Sequence, residues 1–250
     1  MRELVELTEN IGVLARPQPR LRMADELVSF LSPSSFEADQ YRALRQRVEQ
    51  VSAESGGRVF AVTSAAAGEG KTVTTLNLAG SLAQSPGARV LVIEADLRRS
   101  TVAKYLQLPD ARVEKLTSAL LSEDCRLSQL TRRLDALNIS VVLGGDSRGK
   151  TYELLASHRF QHLLSEARVA YDYVLVDTPP LLPLADSRAL GRWVDGYIFV
   201  VAAHRTPRPL IVEALGMIDR AKLVALAFNG DDRPLSTYRR YYGLGQPART

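Results

Sequence analysis

Apolar residues fall along this chain in short unbroken runs, separated by longer stretches with helical spacing. Positions 59–62, 89–93, 139–143, 173–176, 196–202 and 223–228 have the length and composition of buried strands. Between them lie helical patterns. One carries Val73, Leu76, Ala79 and Ala83 on one face, another spans 113–134, and a third spans 151–170 with Ala156, Phe160, Leu163, Leu164 and Ala167 facing a core. A fourth, 207–220, has Pro207 or Pro209 in its first turn. Ahead of the first strand, Ser34 to Glu37 fits a capping box, S-x-x-E, opening a helix with Tyr41, Leu44, Val48 and Val51 on one side. Arg42, Arg45 and Arg47 lie mostly off that side, as a solvated basic face would.

Strands that are apolar throughout, alternating with helices, predict an α/β fold: a mainly parallel sheet with helices on both faces. The organisation expected is an N-terminal extension over 1–33, a main domain over 34–230 opening with the helix 34–54, and a Tyr/Arg-rich tail over 231–250. Leu4, Val5, Leu7 and Ile11 suggest a short amphipathic piece, and Arg16-Pro17-Gln18-Pro19-Arg20 a proline-stiffened linker. A second apolar piece, 27–31, ends at Pro33.

Composition narrows the picture modestly. At 250 residues, 46% apolar and 24% charged, the chain resembles an ordinary globular protein with ample length for a core. A net charge of +4 demands no nucleic-acid partner. The single cysteine, Cys125, excludes an internal disulfide and fits a reducing compartment as inert packing. No apolar run approaches the ~18 residues of a membrane span, and charges at Arg2, Glu3 and Glu6 break any signal-peptide pattern. The expected location is therefore the cytoplasm, with any membrane association supplied by a partner.

The chemistry concentrates where strand 59–62 meets its helix. The intervening sequence ends Gly68-Glu69-Gly70-Lys71-Thr72, and strand, small-residue loop, GKT and helix in that order make a phosphate-binding loop. Backbone N–H groups from Ala67 to Val73 would face phosphate oxygens, and Gly68 and Gly70 would permit close approach. Lys71 would reach the outer phosphates and Thr72 would ligate Mg²⁺. The loop departs from GxxxxGKT in having Ala65 where the first Gly would stand. Asp177 follows four apolar residues, as a metal-holding Walker-B aspartate does. Glu94 and Asp96 end the second strand, at the sheet edge where ligands bind in open α/β folds. Either could orient Mg²⁺ or accept a hydroxyl proton. His158 and His162, four apart, lie on the polar side of their helix and read as solvated.

Taken together, these residues resemble the cytoplasmic catalytic domain of the bacterial tyrosine kinases, relatives of the deviant-Walker partition ATPases. Thr63-Ser64 through Thr72 is similar to the family's TSxxPGEGKS loop, with Ala67 in place of the proline. Positions 90–98 resemble its hhhDADLR motif, with Glu94 in place of the first Asp. That added methylene moves a carboxylate by on the order of 1 Å. Tyr171-Asp172-Tyr173 through Asp177-Thr178-Pro179-Pro180 is similar to YDYVIIDTPP. Asp39, Arg42 and Arg45 resemble the ExxRxxR helix through which members assemble into rings, and Tyr238, Tyr241 and Tyr242 resemble the tail cluster that subunits phosphorylate on one another.

The resemblance implies a P-loop NTPase fold and ATP and Mg²⁺ handled by Lys71, Thr72, Asp96 and Asp177. It implies Asp96 activating the acceptor tyrosine, Arg98 positioning the acceptor or the acidic motif, and Asn229 near adenine. It also implies a membrane-bound polysaccharide chain-length regulator as activator, a cognate tyrosine phosphatase, and recruitment to the inner face of the cell membrane. Two other functions fit many of the same residues. One is an ATPase in which water takes the phosphoryl group. The other is a nucleotide-dependent assembly module with little turnover.

Overall fold

The computed structural model describes residues 23–109, 114–122, 125–182 and 186–231. The expected amphipathic piece and linker near the N-terminus, and the tail tyrosines, lie outside them. Helices α1 (Val28–Leu31) and α2 (Phe36–Ser55) precede strand β1 (Val59–Ser64), helix α3 (Lys71–Leu82), strand β2 (Val90–Glu94) and helix α4 (Val102–Tyr105). Helices α5 (Leu116–Leu121) and α6 (Leu127–Leu130) follow, then strands β3 (Arg132–Leu134) and β4 (Ile139–Val142). Next come α7 (Thr151–Ala156), α8 (His158–Ala170), β5 (Tyr173–Asp177), α9 (Asp186–Ala189), β6 (Gly196–Ala202), α10 (Arg208–Leu215) and β7 (Leu223–Asn229).

The strands form one sheet in the order β3-β4-β2-β5-β1-β6-β7, parallel except for β3. Successive residues alternate between two cores. Val59, Ala61, Leu91, Ile93, Val174 and Val176 pack against one layer, with Phe160, Leu163 and Ala214. Phe60, Val62, Val90, Val92 and Leu175 pack against the other, with Leu76, Leu78 and Leu82 of α3. Both faces being apolar is what makes the inner strands β1, β2, β4, β5 and β6 read as unbroken runs, whereas edge strands β3 and β7 are only partly buried.

The amino acids explain several departures from expectation. The segment 113–134 is not helical throughout: Arg132–Leu134 pairs antiparallel with β4 at the sheet edge. The 151–170 pattern breaks at Ser157, which is extended and whose hydroxyl donates to Leu154 O at 2.6 Å and accepts from Phe160 N–H at 3.2 Å. Helix α10 stops at Leu215, short of 220. Ser35, not Ser34, caps α2 by accepting from Ala38 N–H at 3.1 Å, and Gly56 ends that helix at φ 68°.

The packed fold also begins before residue 34. Leu27 is fully buried, and the Asn77 side chain on α3 accepts from Ser29 N–H and donates to Glu26 O. Nor is the α2 basic face merely solvated. Arg45 donates to Ser81 O at 2.9 Å and Arg47 to Val224 O at 3.2 Å. Arg42 pairs with Asp39 on the same helix. No helix among the described residues is long and apolar enough to cross a membrane.

Candidate nucleotide and phosphoryl-transfer site

Parallel pairing brings the ends of β1, β2 and β5 to one edge of the sheet. Glu94 is in register with Asp177, and Val62 with Asp177 on the other side. The loop from β1 to α3 arrives at the same edge. Gly68 has φ 78° and Gly70 φ 94°, the left-handed region that glycine adopts freely. A Cβ at Gly70 would lie 1.8 Å from Asn229 Nδ2, so position 70 has no room for a side chain. Asn229, at the end of β7, sits against the loop itself, donating to Glu69 O at 3.1 Å. Glu69 is buried and braces the loop: one carboxylate oxygen accepts from Ala66 N–H at 2.9 Å, the other from the Thr206 hydroxyl. Ala65, where a standard loop has Gly, is buried in the core.

Lys71 and Thr72 open α3. Lys71 is 7% exposed and close enough to Asp96 and Asp177 to pull both carboxyls toward their charged forms. The Thr72 hydroxyl donates to Asp177 Oδ2 at 2.6 Å. Asp177 Oδ1 is buried with no hydrogen-bond partner. Burial pushes the Asp177 carboxyl up to about 7, with Thr72 and Lys71 opposing it. Asp96 is also raised by burial, with Lys71 and the N–H groups of Arg99 and Arg98 working against that. Glu94 is raised by burial despite accepting backbone N–H groups from Gly144, Val102 and Thr101.

An unpartnered buried carboxylate oxygen beside a Thr hydroxyl suits Mg²⁺, which takes few protein ligands and keeps water and phosphate oxygens around it. The residues therefore fit the implied ion. Val73 follows in the first turn of α3, and Ala67 is exposed at the loop tip. Arg98 is engaged by an acid outside the motif: its Nε donates to Asp186 at 2.7 Å. A cleft of about 360 Å³ opens beside the acidic motif, bounded by Leu97, Arg98, Lys115, Leu143 and Asp146. His158 meets Gln161, while His162 meets Glu166, so the two do not converge.

Sequence reasoning missed Asp186, Thr101 and Thr206. Asp186 is 2% exposed and comes directly after an apolar run in the sequence, 181–185. An acid at the end of such a run is a candidate for burial against a cation. Thr101 and Thr206 carry no such signal, because their partners come from distant segments.

An AAA domain family profile matches residues 57–205. The tyrosine-protein kinase YwqD of Bacillus subtilis (strain 168) is 33% identical over 224 residues, covering 89% of this chain and 93% of that protein. The chain belongs to the bacterial tyrosine kinase family. The succinoglycan biosynthesis transport protein ExoP of Rhizobium meliloti (strain 1021) is 35% identical over 74% of this chain, which spans 23% of that longer protein. Among solved structures, the BceF tyrosine kinase domain superposes with a TM-score of 0.70 at 27% identity, covering 80% of this chain and 81% of that one. This P-loop architecture is the one anticipated from the strand–loop–helix pattern.

Proposed function

We propose that the chain is an ATP-dependent protein-tyrosine kinase that phosphorylates Tyr238, Tyr241 and Tyr242 of neighbouring copies. The activity is that of its family, and the observation carrying the assignment to these residues is the Lys71–Thr72–Asp177 constellation with Asp96 beside it. The loop N–H groups from Ala67 to Val73 and the Lys71 ammonium hold the β- and γ-phosphates. Thr72 and Asp177 would hold Mg²⁺, with Asp96 close by, and the ion would supply positive charge against the phosphate oxygens. Asp96 accepts the phenolic proton as the tyrosine oxygen bonds to the γ-phosphorus and the bond to the β,γ-bridging oxygen breaks, releasing ADP. Lys71 offsets the negative charge that develops on the leaving oxygen. Arg98, held by Asp186, orients the acidic motif and borders the cleft where the acceptor approaches. Asn229 supports the loop next to the nucleotide.

Asp39, Arg42 and Arg45 contribute to a ring-like homo-oligomer that presents each tail to a neighbour. Each phosphotyrosine adds about −1.5 to −2 charge to an arginine-rich tail and loosens that assembly. The polysaccharide assignment is supported by the relative named for succinoglycan biosynthesis transport. In this reading the kinase works in the cytoplasm at the inner face of the membrane, with a membrane-bound chain-length regulator as activator, a tyrosine phosphatase as its reversal, and exopolysaccharide or capsule synthesis as its output.

Incubation with Mg-ATP and the activator's cytoplasmic segment, followed by intact mass and peptide mapping, tests this beside Lys71→Met. Phosphate on the tail tyrosines of wild type alone is expected. Nucleotide binding with no phosphotyrosine would overturn the reading.

A further inference from the structure

Glu94 ends the same strand that leads into Asp96, yet its carboxylate is engaged differently. It is 1% exposed. Oε1 accepts the N–H groups of Thr101 and Val102, the latter at 2.8 Å, and Oε2 accepts Gly144 N–H at 2.9 Å. Three of roughly four acceptor positions are thus taken by backbone. Gly144 is shaped for this approach: a Cβ there would lie 2.7 Å from Ser100 Oγ and 3.2 Å from Glu94 Cγ. The carboxylate ties the end of β2 to the turn before α4 and to the segment leaving β4.

That turn carries the Thr101 hydroxyl, which donates to Thr72 Oγ1 at 3.3 Å. Thr72 in turn donates to Asp177. A hydroxyl has one proton and two lone pairs. With the Thr72 proton given to Asp177 and one lone pair facing Thr101, a single lone pair remains, and its direction is set.

We infer that Glu94 is a positioning residue: it locks the 101–102 turn so that Thr101 orients the Thr72 hydroxyl, completing a polar chain Glu94–Thr101–Thr72–Asp177 across the sheet edge. This rests on the reading of Thr72 and Asp177 as the Mg²⁺ side of the site. It also accounts for glutamate in a place where the family pattern has aspartate. A side chain shorter by one bond, about 1.5 Å, does not reach both the 101–102 turn and Gly144. Reverting to the family's residue therefore impairs this protein.

The test is binding of a fluorescent ADP analogue, titrated with and without Mg²⁺, alongside thermal unfolding of the nucleotide-free protein. Thr101→Val is expected to raise the half-saturating Mg²⁺ concentration roughly threefold to tenfold, the range of one hydrogen bond, while Mg²⁺-free binding and unfolding stay near wild type. Thr101→Ser restores the wild-type value. Glu94→Asp shifts Mg²⁺ dependence in the same direction, and the Glu94→Asp/Thr101→Val double variant is no worse than the worse single variant, because both act through one contact. Wild-type Mg²⁺ dependence in Thr101→Val, strict additivity in the double variant, or faster turnover in Glu94→Asp overturns the inference while leaving the kinase reading intact. If Thr72→Val also keeps wild-type Mg²⁺ dependence, the reading beneath it falls as well.

Discussion

Strand β5 is bracketed by two aspartates in opposite conditions. Asp172, just before it, accepts the Arg89 guanidinium at 2.8 Å and Arg89 N–H at 3.0 Å, and the Arg89 bonds hold its carboxyl below the usual range. Asp177, at its end, has one oxygen bonded to Thr72 and one with no partner, and burial holds its carboxyl far above that range. Asp195, preceding β6, repeats the first condition. Burial alone would raise it, but Arg168 and the N–H groups of Val59 and Arg58 outweigh that and leave it lowered. Donors crowd onto Asp172 and Asp195 where β5 and β6 begin, and fall short at Asp177 where β5 ends. A buried acceptor left short of donors destabilises the empty protein and suits a cation that has yet to arrive.

The largest effect should come from Asp177→Asn. Phosphotransfer should fall by at least ~100-fold, the scale of losing a preorganised electrostatic group. The nucleotide-free protein should melt at a higher temperature than wild type, because the amide is cheaper to bury. A steady-state kinase assay and a melting curve read the two arms, and a fall in both would dissolve the contrast between the strand ends. Gly70→Ala comes next. Its Cβ has no room beside Asn229, and the left-handed backbone costs a non-glycine residue about 1–2 kcal/mol, so nucleotide affinity measured by calorimetry should fall more than tenfold.

Asp195→Ala strips acceptors from two backbone N–H groups and from Arg168, and should cost about 1–3 kcal/mol at pH 7 in urea unfolding. The sign with pH follows from the lowered carboxyl. The stabilisation is present above the unfolded value near 3.9 and is lost as pH falls through the lower folded value. The difference from wild type should therefore shrink below pH 4. An undiminished difference would show that the contribution is not ionic. The smallest effect belongs to Arg89→Ala, whose ion pair with Asp172 is at the surface. Its midpoint should merge with wild type in high salt.

Much of this molecule was legible in order of residues alone. Five of the six parallel strands read as apolar runs because both faces of the sheet are covered there, which removes the alternation that would otherwise obscure a run's limits; edge strand β7 is apolar in sequence yet leaves Leu226 and Phe228 exposed. The GEGKT loop read as a phosphate site because its chemistry is local: glycines, lysine and threonine act within one strand–helix turn. Glu94, Asp96 and Asp177 were found because strand ends in a parallel sheet converge on one edge.

What required the tertiary structure was every property set by partners distant in sequence. Strand β3 is invisible in Thr131-Arg132-Arg133-Leu134 because only its pairing with β4 makes it a strand. Glu94 and Asp96 look interchangeable in sequence. Packing alone separated them, giving Glu94 to the backbone of Thr101, Val102 and Gly144 and leaving Asp96 beside Lys71. Asp186, Thr101 and Thr206 entered the site only because chain segments 29 to 137 positions apart meet there. Local sequence determines which group a residue carries. The donors and acceptors brought against it by the fold decide whether that group is spent on structure or left for chemistry.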